Sequence, residues 1–103
     1  MFDIAHVKSR YYPVRFGKQV LHLEPLKLRT LNALVRLSRN IAAGDAGAYE
    51  EFTPLIARIL SKNRYQVKVT PQQVEDTLTI DQVSALLIGY LDWLNQERDR
   101  DPN

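Results

Sequence analysis

The spacing of apolar residues changes character along the chain, and each change marks a different element. The first dozen residues, through Tyr11 and Tyr12, hold no sustained period, and residues 1–13 read as an extended arm. Val14-Arg15-Phe16 and Val20-Leu21-His22-Leu23 then flank Gly17-Lys18, and a glycine at the first central position suits a two-residue type II′ turn. The expectation is a β-hairpin over residues 14–23. Two strands alone are marginal in water, so one face of the hairpin must lie on something else, most simply a helix.

From Pro25 to Ala43 the period becomes helical. Leu28, Leu31, Leu34, Val35, Ile41 and Ala42 fill one side, Arg29, Asn32, Arg36, Arg39 and Asn40 gather on the other, and Gly44 closes the segment. After the turn Ala43-Gly44-Asp45-Ala46-Gly47, a second stripe of Tyr49, Phe52, Leu55, Ile56, Ile59 and Leu60 continues through Lys62. Pro54 falls inside it. Thr53-Pro54 also fits an N-cap followed by a first helical residue, but the stripe runs unbroken across the proline, which favours one kinked helix over two. Residues 63–69 read as a loop or short extended piece.

Two capping boxes follow. Thr70 precedes Pro71 and has Gln73 three residues on, and Thr79 has Gln82 at the same spacing. The first opens a short helix ending near Thr77; the second opens a long one reaching about Glu97. In the long helix Ile80, Val83, Leu87, Tyr90, Leu91 and Leu94 share one side, with Leu86 and Trp93 on its shoulder. Residues 98–103 contain no apolar side chain and read as a frayed tail. The fold expected over 25–97 and the hairpin is therefore mainly α: a small bundle of three main helices plus one short helix, with an N-terminal β-hairpin. Its core should centre on Leu31, Leu34, Val35, Phe52, Ile56, Ile59, Val83, Leu87, Tyr90 and Leu91, because apolar stripes must face one another to leave water.

Size and composition narrow what this fold can do. A chain of 103 residues, 45% hydrophobic and 25% charged, makes one domain with a modest core and little apolar surface left for a deep cleft. With no cysteine, disulfides, thiolate catalysis and cysteine-bound metals are excluded. No apolar run approaches a membrane span, and Met-Phe-Asp-Ile-Ala-His lacks the order of a secretory signal, so a cytoplasmic protein without membrane contact is expected. The net charge of +2 hides a polarity, since residues 1–70 hold an excess of seven cations and residues 71–103 an excess of five anions. Two such surfaces can pair head to tail, which makes a homo-oligomer one candidate state.

The candidate chemistry is sparse. His6 and His22 lie in the arm and the hairpin without carboxylates at metal-ligand spacing, so no metal or cofactor is expected. Glu50-Glu51 and Glu75-Asp76 are adjacent in sequence and diverge on a helix, so neither forms an acid/base couple. Neither a phosphate loop nor a nucleophile elbow occurs, and no enzyme is expected. What remains is binding. Arg29, Arg36 and Arg39 can grip carboxylates or phosphates, but Asp81 and Asp92 on the last helix would repel phosphate, which disfavours nucleic acid. Trp93 with Leu86 widens the apolar arc of the last helix and offers a rigid aromatic anchor for a protein, if it is not core.

The order of parts carries a resemblance. A Phe-Gly-Lys turn in a small hairpin, Pro25-Leu26-Lys27-Leu28 entering an amphipathic helix, a second helix, and Val69-Thr70-Pro71-Gln72-Gln73-Val74-Glu75-Asp76-Thr77-Leu78-Thr79 entering a third resemble the tail assembly chaperones of tailed phages and prophages, over about Val14 to Leu94. The resemblance implies a small helical non-enzyme of the bacterial host cytoplasm. It implies a tape-measure protein and a tail-tube protein as partners, held soluble while a tail is built, and absence from the finished virion. The alternatives are a small nucleic-acid-binding regulator using the basic helix face, or a structural tail or connector component.

Overall fold

In the computed structural model, which describes residues 1–4 and 10–100, with side chains through Asn95, two strands precede four helices. Strands β1 (Tyr12–Phe16) and β2 (Gln19–Leu23) pair antiparallel, with Tyr12 opposite Leu23 and Phe16 opposite Gln19. Gly17 takes φ +62° and Lys18 does not join it at positive φ, which is the type II′ signature read from the sequence. Tyr12, Val14, Phe16, Leu21 and Leu23 turn inward on the alternate positions of the two strands, and Phe16, Leu21 and Leu23 are buried. The hairpin thus begins at Tyr12 rather than Val14, because Tyr12 has a cross-strand partner in Leu23. Of the expected arm, Ile4 lies in a 3₁₀ turn and residues 5–9 lie outside the described residues.

Helix α1 (Leu28–Ala42) starts three residues after Pro25. Lys27 is extended and supplies the first acceptor, taking the Leu31 amide at 3.0 Å, so Pro25-Leu26-Lys27 is a lead-in rather than a first turn. Leu26 precedes this uncapped N-terminus and lines one groove with Leu31, the placement of a hydrophobic staple. Helix α2 (Ala48–Ser61) runs through Pro54 as one helix, in agreement with its unbroken stripe. Ala48, Leu55, Ile56, Ala57, Ile59 and Leu60 are its buried face.

The reach from α2 to the next helix is organised by buried hydrogen bonds. The Glu24 amide donates to the Lys62 carbonyl and the Arg64 amide to the His22 carbonyl, both at 2.9 Å, around a single bridge between Leu23 and Asn63. This short pairing ties the hairpin to the end of α2. Asn63 is only 3% exposed, and its side-chain amide donates to the Leu60 and Val67 carbonyls and accepts from the Val67 amide. The Ser61 hydroxyl takes the Val69 amide at 2.9 Å and anchors the strand-like end of the loop.

Both capping boxes form as read. Thr70 and Gln73 exchange bonds at the head of α3 (Pro71–Thr77), and Thr79 and Gln82 do so at the head of α4 (Ile80–Arg100). Helix α4 extends past Glu97, so 98–100 continue the helix instead of fraying, and 101–103 lie outside the described residues. The core contains Leu34, Ile56, Ile59, Val83 and Tyr90 as expected, and Phe52, Leu87 and Leu91 half-buried at its margin. Val35 is instead 40% exposed and Leu37 takes its place, because α1 is rotated to put the Leu34–Leu37 edge of its stripe inward. Leu31 is half-buried at a groove rather than central.

Candidate protein-binding surfaces

Trp93 and Leu86 stand on the shoulder of α4 as expected, and both are half-buried. The Trp93 ring stacks on Tyr90 (5.8 Å between centroids) and lies tilted against Tyr12 (5.4 Å). Above it lies the Arg10 guanidinium, 4.2 Å from the ring centre, which also donates to the Trp93 and Leu94 carbonyls at 3.3 Å each. A cation over an indole face is worth about 0.5–2 kcal/mol, the upper end when water is excluded. Trp93 therefore holds residues 10–12 against α4 while itself staying only half-buried. Position 10 gave no signal in the sequence, since a lone arginine in an aperiodic stretch reads as solvated.

Tyr90 closes this cluster. Fully buried, it donates its hydroxyl to the Glu24 carbonyl. Burial raises its phenol well above the ordinary tyrosine value, the Glu24 carboxylate adds to the rise, and Arg10 opposes it. Gly89 gives the Tyr12 ring room beside it, since a Cβ there would stand 2.7 Å from the Tyr12 hydroxyl and force it to shift.

Arg29, Arg36 and Arg39 are all exposed on the outer face of α1, and their side chains meet no partner among the described residues. Beside this basic face, Leu28 is 76% exposed, and Val35 also lies open. The structure does not bring Arg29, Arg36 and Arg39 together with Trp93 and Leu86 into one site: the first set lies on α1 and the second on α4.

Among the described residues, open grooves lie between helices. One, of about 340 Å³, is lined by Arg10, Pro25, Leu26, Leu31, Leu91, Leu94 and Asn95, between the head of α1 and the far half of α4. Another, of about 420 Å³, is bounded by α2, α3 and the start of α4. Phe52, Ile56, Val74, Leu78 and Val83 form its apolar floor, and Tyr49, Glu50, Glu75 and Ile80 stand at its margin. Tyr49 and Ile80 sit on the sequence stripes, but only the seating of the short α3 beside α2 shows that they edge a groove.

Among the described residues no cluster of three His, Cys, Asp or Glu could hold a metal ion, and no helix is long and apolar enough to cross a membrane. His22 packs edge-on against Tyr65, and His6 lies outside the described residues. No protein-family model matches the chain, and no curated protein or solved structure matches it significantly.

Proposed function

We propose that this chain is a non-catalytic holding protein that binds other proteins, of the kind the tail assembly chaperones represent, with tape-measure and tail-tube proteins as its clients in the host cytoplasm. The observation that carries the reading is surface. This small helical body has open apolar side chains on α1, α2 and α4 and grooves between its helices. Scattered exposed leucines are ordinary, but Leu28 and Val35 beside a basic face, and Tyr49 and Ile80 at the edge of a groove, combine apolar contact with charge at its border. That is what transient protein capture uses: apolar area for affinity, charge for steering and choice.

The test is co-expression with the tape-measure and tube proteins of the same genome. Soluble client should fall when this chain is omitted, and unchanged client solubility without it overturns the reading. A second reading, a nucleic-acid-binding regulator, draws on the exposed Arg29, Arg36 and Arg39. Submicromolar DNA binding that survives physiological salt would favour it, since contacts made only to phosphate weaken steeply as salt rises.

A further inference from the structure

We propose that the groove between α2, α3 and the start of α4 docks an amphipathic helix that carries lysine or arginine beside its apolar stripe. The inference names a partner class for the holding role above and rests on that reading. Every charged side chain lining the groove is a carboxylate, Glu50 from α2 and Glu75 from α3. Glu51, Asp76 and Asp81, one residue from lining positions, are also exposed. The chain's cationic excess lies before residue 71, and none of it lines this groove.

The floor is apolar, and its edge keeps Tyr49 at 51% and Ile80 at 57% exposure, so a partner that enters covers apolar area already open to water. The walls are helices apart from the Leu78-Thr79 link between α3 and α4. An added strand would find no ladder of free main-chain groups there, whereas a helix satisfies its own backbone and presents side chains at i, i+3, i+4 and i+7. About 420 Å³ accommodates a few such anchors. An acidic partner would place like charges beside Glu50 and Glu75, and a basic one opposite charges.

The experiment measures binding of fluorescent synthetic peptides of about 18 residues, long enough for several helical turns, to the full chain. One carries a leucine stripe flanked by lysine, one the same stripe flanked by glutamate, and one the lysine composition without a stripe. The first should bind best, and the other two about tenfold or more weaker. The Glu50→Gln, Glu75→Gln double variant should weaken the first peptide severalfold. Both substitutions are at exposed helix positions and keep side-chain length, and circular dichroism checks the fold.

Ile80→Asp separates docking from general attraction. It adds a negative charge at the first residue of α4, where acid suits the helix, and removes an apolar edge. Docking predicts weaker binding, and simple charge attraction predicts stronger. Equal affinity for the two charged peptides, or tighter binding by Ile80→Asp, overturns the proposal. So does self-association that the Glu50, Glu75 variant abolishes, because the occupant would then be a second copy. Client rescue that persists while the peptide results fail removes the groove and leaves the holding role; peptide binding without client rescue supports the groove and removes the holding role.

Discussion

Asn63→Ala should lower stability by about 3 kcal/mol. The side chain is buried at 3% exposure and makes three hydrogen bonds, donating to the Leu60 and Val67 carbonyls at 2.9 and 2.8 Å and accepting from the Val67 amide at 2.9 Å. Each is worth about 1 kcal/mol net, and the groups left unpaired add a penalty that entering water partly relieves. For a domain of this length that corresponds to a melting temperature lower by roughly 12–20 °C. Thermal and urea melts measure the total. Amide exchange localises it: Arg64 and Glu24, which bond across the hairpin junction, should lose protection first.

Asn63→Asp sharpens the test. A carboxylate keeps the acceptor for Val67 but has no donor for the two carbonyls, so burial and those oxygens raise the introduced carboxyl above its unfolded value of about 4. The folded state then binds the proton more tightly than the unfolded state. Stability relative to the native chain should be best below pH about 4 and fall as pH rises through the raised folded value. An Ala variant that loses less than about 1 kcal/mol, or an Asp variant whose stability relative to the native chain ignores pH over that range, would refute the account of Asn63 as the residue that organises this loop.

Other outcomes follow from single contacts. Because Tyr90 is held neutral by burial, its contribution is complete below the unfolded phenol value of about 10 and is lost as pH rises beyond it toward the higher folded value; Tyr90→Phe should flatten the alkaline fall in stability seen in urea melts. Gly89→Ala should not yield the usual helical gain of about 0.5–1 kcal/mol while the Tyr12 hydroxyl occupies that space, and should yield it when made on a Tyr12→Phe background, read by paired melts. Pro54→Ala should stabilise α2 by about 1 kcal/mol or more through a restored backbone bond, whereas Thr53→Ala should cost much less than the roughly 1 kcal/mol of a lost N-cap, since Thr53 lies inside the helix.

Local rules settle the elements of this chain. The II′ turn follows from Gly17, the heads of α3 and α4 follow from Thr70 with Gln73 and Thr79 with Gln82, and the continuity of α2 follows from a stripe that ignores Pro54. These depend on side chains a few residues apart, so sequence spacing contains them. Tertiary structure decides which edge of a wide stripe faces inward. Helix α1 has apolar residues over more than half its circumference, and only its contact with α2 selects Leu34 and Leu37 over Val35. It also decides everything made by distant pairs: Arg10 and Tyr12 on Trp93, Tyr90 on Glu24, Leu23 beside Asn63, and the groove that α3 forms beside α2. Arg10 and Trp93 are separated by 83 positions, and no periodicity spans such a distance. Their meeting depends on where the hairpin docks, which is a property of the packed molecule.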